Sequence, residues 1–290
     1  MESKTALVTG ASSGFGRLTA IALARRGYRV FGAYRDIEGR NRSATAELNL
    51  LAAAGGPGVE TVEIDLRDDV SVENGVAAVL AACGRIDLLV NAAGFGVFGP
   101  WETIPVSLVQ AQFEVNVLGV WRLSQAVVPS MRKLRAGSII NVSSESGIRP
   151  KFLESAYSAS KFALEALTTV MRFELQQFGI RVSLVNPGWY GDTGFARNSI
   201  STASSGAEAG PYAALLAALA EVREEGLPHP HPQEVADRIV EVALLDDPPL
   251  HTFVGCRPLS LEPMVDDEYE TRLFDHFGAK DFRRGEKRSP

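Results

Sequence analysis

The sequence predicts an α/β fold, a doubly wound parallel sheet of about seven strands with helices on both faces. Short apolar runs rich in β-branched residues alternate with longer segments of helical periodicity, the pattern of repeated βαβ units. A glycine-rich turn joins the first such run to the first helical segment. The composition, 46% hydrophobic and 22% charged over 290 residues, belongs to a chain that can bury a sizeable core without metal or disulfide staples.

Taken in order, Thr5-Ala6-Leu7-Val8-Thr9 is the opening strand, and the helix over 14–26 follows its glycines. Strands near 29–34 and 59–64 flank a helix over 37–54, and a helix over 68–83 leads to a strand at 86–91. A long helix over 106–133, a strand at 137–143, a second long helix over 155–178 and a strand at 180–186 come next. Helices over 211–225 and 233–246 and a strand at 250–255 complete the series. Seven strands and their crossovers leave no room for a second full domain. Residues 1–256 are therefore expected to form one domain, with 257–290 a C-terminal extension. The irregular stretch at about 189–232, rich in Ser, Ala and Gly over 198–210 and in Pro over 228–232, reads as a substrate lid inserted into that domain.

Several functions are excluded at this point. A net charge of −6 without a long Lys/Arg block speaks against nucleic acid and anionic membrane as partners. The basic residues from Lys280 to Arg288 are interrupted by Asp281 and Glu286 and read as a solvated end. No apolar run approaches the roughly 18 residues of a membrane span, and the first residues lack a signal-peptide layout, so a cytoplasmic location is expected. Cys83 and Cys256 have no zinc spacing, and His229 and His231 alternate with prolines without an acidic or Cys partner. No metal is expected.

The turn reads Thr9-Gly10-Ala11-Ser12-Ser13-Gly14-Phe15-Gly16. Its place between a strand and a helix N-terminus suits a dinucleotide pyrophosphate, which needs close backbone approach and free amides. The fold is then of Rossmann type, with 10 and 12–16 as the phosphate-binding stretch. About 20 residues on, strand two ends in Tyr34-Arg35-Asp36. An acid there would accept from the ribose hydroxyls of NAD, and Arg35 would pair with the 2′-phosphate of NADP; counting residues alone does not separate the two.

Tyr157-Ser158-Ala159-Ser160-Lys161 places a phenol and an ammonium on one helix face. Lys161 is expected to lower the Tyr157 pKa towards a range useful for acid–base work. Thirteen residues before Tyr157, Ser144 ends a buried strand and faces the same crevice as the glycine turn.

With these motifs the chain resembles the short-chain dehydrogenase/reductase family, in its short single-domain branch, over roughly 4–256. The matching features are residues 9–16, Asp65, Asn91-Ala92-Ala93-Gly94, Asn116, Ser144, Tyr157 with Lys161, and Asn186-Pro187-Gly188. The stretch 157–167 is most similar to members acting on steroids, retinoids and related lipophilic alcohols or ketones. The resemblance implies that Tyr157 exchanges a proton with the substrate oxygen and that Ser144 hydrogen-bonds the same oxygen. It implies that Lys161 holds the nicotinamide ribose and that Asn116 holds a water linking Lys161 to solvent. Asp65, with Leu66 beside it, would meet the adenine, Asn91 would support the sheet and line the adenine side, and Pro187, Gly188 and Thr193 would lie along the nicotinamide.

In the family pattern the NAD-selecting acid falls at Tyr34, and a following Arg marks NADP; NADP(H) is therefore favoured over NAD(H), leaving Asp36 as a loop acid or a helix N-cap. Two departures stand out. The Thr expected four residues after Gly188 is displaced to Thr193 by Asp192, and Glu145 follows Ser144 where small residues are common; Glu145 either faces substrate or caps a turn. Phe95, Phe98, Trp101, Phe152, Trp189, Tyr190 and Phe195 suggest walls for a bulky, apolar carbonyl or alcohol substrate, while Glu145, Arg149, Lys151 and Glu154 could select a polar one. A catalytically silent dinucleotide-binding regulatory protein is the rival reading, and it predicts damage to the catalytic residues, which are intact. A sugar-nucleotide epimerase would need a larger C-terminal domain. Family members usually pair through the helices expected at 106–133 and 155–178, so a homodimer or homotetramer is expected.

Overall fold

The computed structural model describes residues 3–56, 58–191, 193–202, 210–224 and 231–255. Strands β1 (Thr5–Thr9), β2 (Arg29–Tyr34), β3 (Val59–Glu63), β4 (Leu88–Asn91), β6 (Gly137–Val142), β7 (Ile180–Pro187) and β9 (His251–Val254) form one sheet in the order β3-β2-β1-β4-β6-β7-β9. Every pairing is parallel. The short strands β5 (Val97–Phe98) and β8 (Ile200–Ser201) pair with each other, also in parallel. The chain winds outward from β1 to β3, then returns and builds the other half from β4. The strand order therefore reverses between β1 and β4, and a crevice opens at their carboxyl ends.

Helices α1 (Gly14–Arg25), α2 (Arg42–Ala53) and α9 (Gln233–Leu244), and α3 (Asp69–Cys83), α4 (Val106–Phe113), α5 (Gly119–Leu134) and α6 (Ser155–Leu175), cover the sheet; α7 (Gly194–Asn198) and α8 (Ala213–Glu224) lie in the insertion. Successive side chains of a strand point to opposite faces. Ala6 and Val8 of β1 accordingly join one core, with Leu23 of α1 and Ile239 of α9, while Leu7 joins the other, with Val76 of α3 and Leu123 of α5. Full burial of each such Val, Leu or Ile contributes roughly 1.5–3 kcal/mol. The sheet is thus held from both sides and presents its carboxyl edge as a rigid platform.

The expected sheet strands and main helices are present, with differences at several ends. α2 begins at Arg42, not at 37, because Asp36 adopts the left-handed conformation (φ 52°) and its carboxylate accepts from the Arg40 amide at 2.9 Å. Asp36 is therefore a loop acid that closes a turn and does not cap the helix. The single helix expected over 106–133 is two helices joined by a π-turn, Glu114–Leu118. The helix expected to 178 ends as a 3₁₀ turn, Gln176–Phe178, before Gly179 in the left-handed region. β5, β8 and α7 have no counterpart in the sequence reading, since elements of two to five residues carry no usable period.

Asp192, His229 and Cys256, residues 203–209 and 225–230 of the insertion, and the extension over 257–290 lie outside the described residues. His231 Nδ1 accepts from the Gln233 amide at 3.1 Å at the start of α9. Among the described residues no group of three or more His, Cys, Asp or Glu could hold a metal, and no helix is long and apolar enough to cross a membrane.

Candidate active site

The glycine turn leaves β1 and packs directly on the segment after β4. Thr9 Oγ1 accepts from the amides of Ala92 and Ala93 at 3.0 and 3.1 Å, tying the two strand ends together. Gly10 has φ +69°, and a Cβ there would lie 2.9 Å from Ala93 Cα. At Gly16 a Cβ would lie 2.5 Å from the Gly10 carbonyl oxygen and 2.6 Å from that of Thr9. Only glycine allows the helix to start this close beneath the turn. Ser13 is the N-cap of α1 and its side chain makes no capping hydrogen bond. The first turn of α1 therefore keeps amides and dipole for an anion, a fit to a dinucleotide phosphate that the backbone itself provides.

Along β2 the crevice meets Tyr34, which is buried, its hydroxyl 3.0 Å from Thr45 Oγ1. Arg35 follows, half-buried, and its charge helps lower the Asp65 pKa. The larger influence on Asp65 is Arg67, whose Nε bonds Oδ1 at 2.9 Å while Nη2 bonds Oδ2 at 2.5 Å. The Asp65 carboxylate thus already holds a guanidinium beside the expected adenine position. The Leu66 side chain belongs to the core, and its carbonyl accepts from Arg122.

Asn91 is also turned inward. Its Nδ2 donates to Asn141 Oδ1 at 2.8 Å and to Ser124 Oγ at 3.3 Å, and Asn141 Nδ2 donates in turn to Thr168 Oγ1 at 2.8 Å. A buried polar chain therefore runs from β4 across β6 to α6. That suits the sheet-supporting half of the role expected for Asn91; its amide does not face the crevice.

Ser144 stands just beyond β6, and its Oγ accepts from the Ser146 amide at 3.1 Å. Ser144, not Glu145, caps the short 3₁₀ turn Glu145–Gly147. From the first turn of α6, the Tyr157 hydroxyl comes within hydrogen-bonding reach of the Ser144 side chain. The Tyr157 ring lies 5.6 Å from that of Phe98 and 5.4 Å from that of Phe195. Lys161 is one helical turn on, its Nζ donating to the Val142 carbonyl at 2.9 Å.

Burial dominates the electrostatics. It pushes the Tyr157 pKa well above the usual 10; the hydrogen bond from Ser144 opposes this, and Glu154 and Glu145 push further upward. Burial also draws Lys161 down to about 8. The expected lowering of Tyr157 is therefore not met, because desolvation of the phenolate dominates the shift. A phenol of this kind keeps its proton at neutral pH.

Asn116 sits in the π-turn, whose extra residue aims its side chain at the loop after β4. There Nδ2 donates to the Phe95 carbonyl at 3.0 Å and to Ser160 Oγ at 3.1 Å, and Oδ1 accepts from the Phe95 amide at 3.2 Å. A Cβ on Gly94 would lie 3.1 Å from Asn116 Oδ1 and 3.9 Å from Lys161 Nζ, so glycine keeps the space between the two clear.

One cavity brings Ser144, Tyr157, Lys161, Pro187, Gly188 and Thr193 together with Phe15 of the glycine turn. Thr193 caps α7, accepting from the Phe195 amide at 3.4 Å, and stands against Gly14. Of the seven aromatic residues expected as walls, Phe98, Trp189, Tyr190 and Phe195 line this cavity. Phe95 packs instead in a small core with Val97 and Ile104, and Trp101 is 78% exposed. Glu145 and Lys151 form an ion pair in the cavity wall, beside Glu154, whose Oε2 accepts from Ser146 Oγ at 2.6 Å. Arg149 is fully buried and does not line the cavity.

A doubly wound parallel sheet with a glycine turn at its switch point, and Ser, Tyr and Lys converging beside that turn, defines a nucleotide-binding oxidoreductase of the α/β class. The profile of the short chain dehydrogenase family matches residues 4–203, more than half the chain. The chain belongs to that family. It is 32% identical over 255 residues to the 3-ketodihydrosphingosine reductase of Bacteroides thetaiotaomicron, covering 88% of this chain and 89% of that one. It is 36% identical over 191 residues to human retinol dehydrogenase 8, covering 64% of this chain and 58% of that one. A metagenomic short-chain oxidoreductase solved in complex with NADP superposes with a TM-score of 0.66 at 32% identity, covering 87% of this chain and 96% of that one.

Proposed function

We propose that the protein transfers a hydride between NADP(H) and the carbonyl or secondary alcohol of a bulky, largely apolar substrate, with Tyr157 as the acid–base. The observation that carries this reading is the buried Tyr157 hydroxyl beside Ser144 in a cavity walled by Phe98 and Phe195. When bound, NADPH supplies the hydride. Ser144 and Tyr157 offer two O–H donors to the substrate oxygen, and the proton leaves from Tyr157 Oη as negative charge builds there. Lys161, tied to the Val142 carbonyl, sets a cation beside the phenol and the ribose position. The first turn of α1 takes the phosphates, with Ser12, Ser13 and Phe15 around them. Residues 1–256 act as one domain, with 189–232 as its substrate-covering insertion.

Two relatives named for a ketone and for an alcohol support a lipophilic substrate. The test is NADPH oxidation by purified protein with aryl, cyclic and long-chain ketones, the ketone that names the Bacteroides relative among them. Turnover of at least one is expected; NADPH binding with no turnover across the panel would overturn the reading.

Arg35 supports NADP(H). It follows Tyr34 at the end of β2, where the family pattern puts the residue that would pair with a 2′-phosphate, and the NADP complex of the metagenomic neighbour is in keeping with this. Arg35→Ala should raise the NADPH KM at least about tenfold and leave the NADH KM nearly unchanged, as expected for loss of a charge-assisted contact. Equal effects on both would remove the assignment.

A second copy of the chain is the partner proposed for the outer helices. Leu118 at the end of the π-turn and Trp121 in the first turn of α5 are exposed, as are Val170 and Phe173 on α6, with Trp121 53% and Phe173 64% accessible. Each pair is spaced three apart and so lies on one helix face. Light scattering at micromolar concentration should give two or four times the 31.2 kDa chain mass, and Trp121→Glu with Phe173→Glu should give the monomer. A monomeric wild type would contradict the pairing.

A further inference from the structure

Glu165 is a buried carboxylate to which the reaction above assigns no task. It stands one helical turn beyond Lys161 on α6, so the two side chains share a face, and it is 9% exposed. At the end of β7, Asn186 Nδ2 donates to Glu165 Oε1 at 2.6 Å and to the Ser144 carbonyl at 3.3 Å. The other oxygen, Oε2, has no hydrogen-bond partner among the described residues and faces His251 Nδ1 of β9 at 3.3 Å. Asn186 of β7 and His251 of β9 thus meet at one carboxylate, and the same Asn186 amide reaches the Ser144 carbonyl after β6.

A buried carboxylate with a single strong donor is costly unless a cation answers it. We propose that Glu165 is a positioning residue, the buried counter-charge that holds Lys161 as an ammonium ion while Asn186 holds the carboxylate in place. The proposal rests on the assignment of Lys161 to the reaction.

The surrounding groups agree in sign. Burial draws Lys161 down to about 8 and the charge of Glu165 opposes it. Burial raises Glu165, opposed by the neighbouring Ser143 hydroxyl, the hydrogen bond from Asn186 and the field of Lys161. The groups facing the pair are Lys161 itself on α6, Ser143 after β6, Asn186 on β7 and His251 on β9. Burial also lowers the His251 pKa from 6.5, so near neutral pH His251 is an uncharged neighbour and Lys161 is the cation. Tyr157 faces Lys161 from the other side, and Glu145 and Glu154 act on Tyr157. The ammonium form of Lys161 is present below about pH 8 and lost above it; removing the Glu165 charge moves that loss to lower pH.

The test is an NMR pH titration of full-length protein carrying [ε-13C]lysine, with the Lys161 signal assigned by its disappearance in Lys161→Arg. In Glu165→Gln the Lys161 midpoint should fall by about one pH unit, as expected for losing an opposite charge one helical turn away. Glu165→Asp should keep most of the wild-type midpoint. Glu165→Met, whose apolar side chain needs no polar partner, serves if the Gln variant does not fold. The high-pH limb of kcat for ketone reduction should move down by the same amount while the ketone KM stays near wild type. A folded variant with lowered thermal stability and an unmoved Lys161 midpoint would overturn the proposal and leave Glu165 a structural residue. The titration needs no turnover, so it judges Glu165 even if the ketone panel shows no substrate.

Discussion

Tyr157→Phe is expected to lower ketone reduction about a thousandfold while NADPH affinity stays within about twofold of wild type. The substitution removes one oxygen and keeps the ring that packs against Phe98 and Phe195. Nothing else near the substrate oxygen replaces the lost proton. The Ser144 hydroxyl is a donor but a far weaker acid, and Lys161 is held on the Val142 carbonyl. Because burial and the carboxylates of Glu154 and Glu145 keep the phenol protonated, its proton is available across the neutral range. Steady-state rates paired with a fluorescence titration of NADPH make the measurement. A Phe variant that retained a tenth of the wild-type rate would remove Tyr157 from the acid–base role.

Gly16→Val should abolish measurable NADPH binding and lower the melting temperature by about 5–10 °C. The Cβ would come 2.5 Å from one carbonyl oxygen and 2.6 Å from another, and both belong to the backbone, so no side chain can swing aside. The turn must open, and with it goes the alignment of free amides at the start of α1. Gly58→Ala is the matched control, since a Cβ there meets nothing within 4 Å. Calorimetric titration and thermal melts of both variants check this; a Gly16→Val protein with wild-type affinity would show that the phosphates bind elsewhere.

The fold was legible because its strands are short and apolar and its helices long, so the alternation survives inspection of the sequence alone. Tyr157 and Lys161 were legible for a local reason: four residues apart on a helix means neighbours. The glycine turn was legible because its spacing expresses a backbone demand. What stayed hidden was assembled by strand order. Glu165, Asn186 and His251 are far apart along the chain and meet only because β7 lies between β6 and β9. The capture of Asp65 by Arg67 and the exposure of Trp101 depend on side-chain directions that residue type does not reveal. The direction of the Tyr157 shift was misjudged from sequence because proximity to Lys161 is visible there and desolvation is not.

The buried amide chain from Asn91 through Asn141 to Thr168 bears on how the molecule reaches its native state. β4 and β6 are buried along almost their whole length, and apolar side chains alone specify their mutual register only weakly. In the native register Asn91 stands opposite Asn141 on adjoining strands. Any slide strands both amides in hydrocarbon, each at a cost of roughly 1–3 kcal/mol. The chain of amides therefore favours the native register of these strands over a shifted one.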